Sequence, residues 1–299
     1  MQLRAWWDER APAGRRPPSP PVPRAAAGAN GGLPAMARNG PASAADLWSP
    51  ARIAVAERVW GEGFVDPLSG EALRTLVRPL GLDAARSVLD LGAGLGGAAR
   101  QIVRETGAWV TGLEPDPVLA RTGGERSEQA GLARRAPVAV CDLERLALDR
   151  RYDAVIARHA LFTVSRKNEL IEAVRAALKP RGHFLIVDFA VKNSASNGPA
   201  IAAWRNAEPV TPHPWTVCQT TDRLKSRGFD VRAAEDMSET YAGLVLRAWE
   251  RIGSDPRQLA AEPELRARLL AEGELWARRT AALAAGDLRV FRFHALTPA

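Results

Sequence analysis

From Ser87 onward two hydrophobic patterns alternate along the chain. Short continuous apolar runs, beginning with SVLDL at 87–91, give way to longer stretches in which apolar residues return every three or four positions. The first pattern predicts buried strands at 87–91, 108–114, 136–142, 152–158 and 183–189. The second predicts helices between them, at 95–107, 116–131 and 165–182. Local signals agree: Gly107 closes the first helix, Pro117 suits the first turn of the second, and Ser165 is the candidate N-cap of the third. Alternating strands and helices of this length imply a mostly parallel sheet covered on both faces.

Outside this block the pattern changes. Amphipathic segments at 51–60 and 71–81 flank the Gly- and Pro-containing stretch GEGFVDPLSG. A long Gly/Pro-bearing connection at 193–216 precedes a helix and a sixth strand within 220–236. Amphipathic helices at 238–252 and 262–286 follow, and the alternating LRVFRFHAL at 288–296 is the last strand. The predicted fold class is therefore α/β. It is a Rossmann-like, mostly parallel seven-stranded sheet with helices on both faces, a helical N-terminal cap and a helical insertion before the last strand.

Residues 1–45 show no apolar period. RAPAGRRPPSPPVPRAAAGANGG is dense in Pro, Ala, Gly and Arg. Such a segment buries too little surface to offset the entropy of ordering, so it is predicted to be a disordered extension to a domain at 46–299. Met36 is an alternative start for the chain.

Charge narrows the partners. The formal net charge of +7 divides into six arginines against three acids in residues 1–50 and 35 basic against 31 acidic residues in the rest. That mixture reads as a solvated surface and argues against nucleic acid. No apolar run reaches the roughly 18–20 residues of a membrane span. Cys141 and Cys218 are the only cysteines and form no CxxC pair, which fits a reducing cytoplasm. His159, His183, His213 and His294 are scattered, so no metal is expected.

The chemistry gathers at GAGLGGAA, residues 92–99, which leaves a strand and opens a helix. Ligands of open parallel sheets bind beyond the carboxyl ends of the strands. Glycines there let the backbone approach a ligand and offer N–H groups to it. The spacing of Gly92, Gly94 and Gly97 does not by itself choose the ligand, and a nicotinamide-binding Rossmann domain stays open. The flanking acids choose better. Asp90 precedes the turn, Glu114 ends the second strand within reach of ribose hydroxyls, and Asp142 follows the third strand, placed to accept from an adenine amino group. No P-loop Gly-Lys-Ser/Thr occurs.

Together these residues resemble the class I S-adenosylmethionine-dependent methyltransferases, and YDAVIARHALF and ALKPRGHFLIVDF look like the later strands of that family. The resemblance implies S-adenosyl-L-methionine as cofactor. Asp90, Leu91, Gly92, Ala93 and Gly94 would hold its methionine part, Glu114 and Pro115 its ribose, and Asp142 and Leu143 its adenine, with Arg158 beside them. Within the family the chain is similar to the phosphoethanolamine N-methyltransferase type through RVWGEGFVDPLSG, ARHALFTVSRK and ELWARRTAALAAGDLRVFRFHAL. It departs from that type where substrate is handled. Trp48 and Thr163 stand in place of a catalytic Tyr and His, and His213 and Trp215 fall near its phosphate-holding Arg and Tyr.

The implied reaction moves a methyl group to an N or O atom of a small-molecule acceptor by in-line displacement, where the enzyme chiefly orients and excludes water. His159 and His213 are the catalytic candidates; Trp48, Trp60, Phe64, Trp215 and Tyr241 are the substrate candidates. Glu235 and Asp236 are a weaker option for holding a cationic amine. Nine tryptophans suggest a flat or cationic acceptor, and the arginines of WARRTAAL read as a solvated face. The fourth strand ends in ARHALF without the NPPY or DPPY of enzymes that methylate base or amide nitrogens. The sequence is also compatible with a protein or RNA methyltransferase, and with an inactive cofactor-binding partner subunit.

Overall fold

Alternation along the strands sets the layers. In β1 (Ser87–Leu91) Val88 joins one core while Leu89 and Leu91 join the other. In β4 (Tyr152–Arg158) Ala154 and Ile156 face the first core, Val155 and Ala157 the second. Strand β5 (Leu178–Val191) repeats this with Leu185, Val187 and Phe189 against Phe184 and Ile186. Apolar side chains on both faces require cover on both faces, which the helices supply. The computed structural model describes residues 47–193, 196–255 and 262–299. The extension predicted at 1–45, and Met36 within it, lie outside the described residues.

The other strands are β2 (Trp109–Glu114), β3 (Val138–Val140), β6 (Trp215–Thr216), β7 (Asp230–Asp236) and β8 (Leu288–Leu296). Their order is β3-β2-β1-β4-β5-β8-β7, with β6 pairing β5. All pairs are parallel except those of β8, which runs antiparallel to β5 and β7. The seven predicted strands all form. The two-residue β6 makes the sheet eight-stranded, because the long connection before it passes close enough to β5 to bond at Ala190 and Val191. The strand order reverses between β1 and β4, which places a ligand crevice there.

The helices are α1 (Pro50–Trp60), α2 (Gly70–Val77), α3 (Gly97–Thr106), α4 (Pro117–Gln129), α5 (Lys167–Ala177), α6 (Pro199–Ala207), α7 (Val217–Ser226), α8 (Ser238–Ser254) and α9 (Pro263–Ala284). Gly107 ends α3 in the left-handed region, and Asp116 caps α4 by accepting from the backbone N–H groups of Val118 and Leu119. Ser165 does not cap α5. The Glu144 carboxylate accepts from the backbone N–H groups of Ser165 and Arg166 and from the Ser165 hydroxyl, so a neighbouring loop supplies the anion for this helix start.

Helices α1, α8 and α9 build the cap. Trp60 of α1 is buried between Trp276 of α9, with ring centroids 4.5 Å apart, and Trp249 of α8, 6.5 Å away. The cap loop sits on the start of α3, where the Gly97 N–H donates to the Gly63 carbonyl at 3.0 Å. A Cβ on Gly97 would collide with that carbonyl. Gly92, Gly94 and Gly97 have G-x-G-x-x-G spacing, yet the third serves a contact within the protein.

Candidate active site

A cavity of about 350 Å³ opens at the carboxyl ends of β1, β2 and β4 and runs up under the cap. Its floor is the β1 turn. Gly92 and Gly94 line it with φ of 70° and 57°, and a side chain on Gly92 would reach within 2.9 Å of the Ala160 Cβ. Backbone N–H groups of Gly92 and Ala93 donate to the Leu113 carbonyl, which ties the turn to β2. At the end of β2 the buried Glu114 carboxylate accepts from the N–H of Gly94 at 2.7 Å and of Asp116 at 2.9 Å. Burial pushes its pKa up to about 7 despite those two donors. Pro115, Leu119 and Leu143 add an apolar wall.

Arg158, at the end of β4, is spent on the protein. Its Nη1 donates to Asp66 Oδ2 at 3.0 Å, and its Nη2 lies 3.6 Å from Asp90 Oδ2. Burial raises the Asp90 pKa, with Arg158 opposing. Asp90 is fully buried and does not line the cavity; it sits beneath Arg158. His159 follows with φ 51°, a left-handed conformation that costs a non-glycine residue roughly 1–2 kcal/mol. Its ring packs 4.8 Å from Phe189 and 5.1 Å from Tyr241. Both ring nitrogens are buried without a hydrogen-bond partner among the described residues, and burial pushes the pKa down to about 4. The imidazole is therefore neutral at pH 7.

The upper end belongs to distant segments. Trp48 faces the cavity with the Arg52 guanidinium 4.3 Å above its ring. Arg52 pairs with Glu272 at 3.1 Å, and Glu272 also accepts from Trp276 Nε1 at 3.1 Å. Arg279 makes a bidentate pair with Glu208, at 2.7 and 2.8 Å. Phe162 and Phe189 complete this end. The turn carrying Phe162 is held by Asp188, whose Oδ2 accepts from the N–H groups of Leu161 and Phe162. Burial raises the Asp188 pKa to about 7.

Of the residues named from sequence, Gly92, Gly94, Glu114, Pro115, Leu143, Arg158, His159, Thr163 and Trp48 line this cavity. Leu91 and Ala93 are buried beside it. Asp142 is exposed, its Oδ1 accepting from the Glu144 N–H at 2.9 Å. Trp60 belongs to the tryptophan core, and Phe64 lies on a separate surface cleft with Arg100. Tyr241 is fully buried behind His159. The structure does not bring His213 to the cavity. Its side chain is exposed, while its N–H donates to the Phe162 carbonyl at 2.5 Å and its carbonyl accepts from Lys167. Trp215 lies over Lys167 instead, 5.3 Å from ring centroid to Nζ. Glu235 and Asp236 pair with Arg292 and Arg289 at the sheet edge.

Arg279 corrects the reading of WARRTAAL as a solvated face. Arg278 is half-exposed and pairs with Glu274, but the next residue turns about 100° around the helix and points into the cavity wall. Asp66, Glu208, Glu272 and Arg279 carried no sequence signal, since each meets its partner only across the fold.

A sequence profile for the family described as "Methyltransferase domain" matches residues 66–234. The chain belongs to the S-adenosylmethionine-dependent methyltransferase family. Phosphoethanolamine N-methyltransferase 1 of Zea mays is 24% identical over 206 residues, 69% of this chain and 40% of the relative. Sterol 24-C-methyltransferase ERG6B of Gibberella zeae is 30% identical over 139 residues, 46% of this chain and 36% of the relative. The chain spans about two fifths of the length of these curated relatives. Among solved structures, Haemonchus contortus phosphoethanolamine N-methyltransferase 2 in complex with S-adenosyl-L-methionine superposes with a TM-score of 0.74 at 23% identity, covering 83% of this chain and 57% of that one. A putative sarcosine dimethylglycine methyltransferase from Galdieria sulphuraria gives a TM-score of 0.63 at 22% identity, covering 83% and 98%. At these identities the structural likeness speaks for the fold.

The cavity fits S-adenosylmethionine on its own terms. Its floor is a glycine turn at which a Cβ would crowd Ala160 or Val65, and the carboxylates of Glu114 and Asp66 line it beside an apolar wall. Cationic and ribose groups suit the acids, and a purine suits Pro115, Leu119 and Leu143. Among the described residues no group of three or more His, Cys, Asp or Glu side chains forms a metal site, and no helix is long and apolar enough to cross a membrane.

Proposed function

We propose that the chain transfers a methyl group to an N or O atom of a small-molecule acceptor. The observation that carries this reading is the continuous cavity that joins the glycine cradle and Glu114 to an aromatic chamber containing the neutral, unpartnered His159. S-adenosylmethionine, when bound, supplies a methyl group already activated on sulfur. Gly92, Gly94, Glu114 and Pro115 would hold it. The aromatic walls of Trp48, Phe162, Phe189 and Trp276 exclude water and orient an acceptor of apolar body. His159 offers one N–H and one lone pair, which suit an acceptor N–H or O–H nucleophile. Its depressed pKa makes it an orienting partner more than a strong base. The relatives include N- and C-methyltransferases, so the acceptor atom rests on His159 alone. In a reducing cytoplasm Cys141, which burial raises to about 12, stays an inert thiol.

The test is calorimetric binding of S-adenosylmethionine, S-adenosylhomocysteine and NADH, followed by labelled methyl transfer to panels of amines, phenols and carbon acids. Binding of the sulfonium with label on an amine or phenol supports the reading. NADH binding without sulfonium binding, or label on carbon alone, overturns it. His159→Asn, a residue that tolerates the left-handed backbone, is expected to slow turnover about 100-fold with cofactor affinity kept.

A further inference from the structure

The charges of the cavity wall are arranged in pairs. Arg52 meets Glu272 at 3.1 Å, Arg158 meets Asp66 at 3.0 Å, and Arg279 meets Glu208 at 2.7 and 2.8 Å. Glu114 and Asp116 line the same cavity with no arginine opposite them among the described residues. The balance is acidic. The Arg279 pair is the deepest at the acceptor end, with side chains 14% and 1% exposed.

Two anchors hold that pair in place. Glu208 Oε1 also accepts from Trp204 Nε1 at 2.6 Å, and the guanidinium lies 4.5 Å over the Trp276 ring. Burial by itself would weaken the Arg279 charge, but Glu208 more than restores it, so the guanidinium stays protonated. Binding a phosphate or carboxylate away from water requires a free fork of N–H donors. Here Glu208 occupies the Nε–Nη2 fork of Arg279 and balances its charge, which leaves only the Nη1 side of the guanidinium for an incoming group. An incoming anion would meet an already neutralised pair in a wall with more acids than arginines, and taking the occupied fork would leave Glu208 buried without its cation, which is strongly unfavourable.

We propose that Glu208 is a specificity-determining residue: by masking Arg279 it makes the acceptor chamber take neutral or cationic acceptors and reject anionic ones. This rests on reading the chamber as a methyl-acceptor site. It sets the chain apart from any acceptor whose recognition depends on a phosphate group, and it assigns the discrimination to one carboxylate.

The experiment uses the full chain loaded with S-adenosylhomocysteine and titrated calorimetrically with inorganic phosphate as the anionic probe. Wild type is expected to show no saturable binding stronger than about 1 mM. Glu208→Gln keeps an acceptor for Trp204 and frees the Arg279 fork; it is expected to bind the probe at least about tenfold more tightly than wild type. The double variant E208Q/R279Q should lose that gain. Micromolar binding to wild type overturns the proposal whether or not the variants fold. So does a Glu208→Gln protein that binds S-adenosylhomocysteine like wild type yet gains nothing, or a double variant that keeps the gain. Failure of wild type to bind S-adenosylhomocysteine would sink the methyltransferase reading, and that loading step is measured separately from the probe.

Discussion

The two ends of the cavity are built differently. The end proposed to hold the cofactor comes from adjacent strand ends: the β1 turn, Glu114 at the end of β2, and the residues just after each. The end proposed to hold the acceptor gathers Trp48 and Arg52 from the α1 region, Glu208 from the end of α6, and Glu272, Trp276 and Arg279 from α9. The first end is one strand–turn–helix motif repeated along a parallel sheet. The second exists only after the insertion has folded back onto the N-terminal cap. Under the proposed function this division leaves the acceptor end free to vary, because the loops and insertions can change without disturbing the strand ends.

Cutting the scaffold of the acceptor end should have the largest effect. Trp60→Ala empties a buried site between Trp249 and Trp276, and about 3–5 kcal/mol of stability should be lost in urea unfolding. Below the unfolding midpoint, S-adenosylhomocysteine affinity should hold while acceptor turnover falls. Equal loss of both would show that the two ends are not separable.

A pH series addresses the cofactor end. Glu114 has its pKa raised from 4.5 to about 7 in the folded chain. Its contribution to stability is therefore fully present below pH 4.5 and is lost as pH rises through 7, by on the order of 3 kcal/mol. Asp188 adds a slope of the same sign, from 3.8 to about 7. Glu114→Gln should flatten the ligand-free stability curve between pH 5 and 7; an unchanged slope would remove Glu114 as its source.

Glu114→Ala strands the N–H groups of Gly94 and Asp116 and removes the proposed ribose acceptor. About 2–3 kcal/mol of S-adenosylhomocysteine affinity should go, near 100-fold by calorimetry. His213→Ala should change turnover by less than about twofold, since its side chain faces solvent and only its backbone is engaged. A large loss there would return His213 to the site.

The cofactor end was readable wherever a local rule applied. Strand period, the glycine turn and the acid closing β2 are set within a few residues of one another, so Gly92, Gly94 and Glu114 are legible as cavity residues from the chain alone. Asp142 obeys the same spacing but turns outward, because its carboxylate caps the short turn that begins at Leu143. The aromatic candidates fared differently. Trp48 reaches the cavity, whereas Trp60 and Tyr241 sit one layer behind it; sequence marks a large apolar side chain as buried without saying against what.

The order of elements, the parallel sheet and the glycine turn that lines the cavity were therefore written in the chain, since periodicity and turn chemistry act over short stretches. The charge of the acceptor chamber was decided only in the tertiary structure. Arg279 and Glu208 lie 71 residues apart and Arg52 and Glu272 lie 220 apart. Each is an ordinary helical or loop charge until packing removes the water between partners and sets them face to face in the cavity wall.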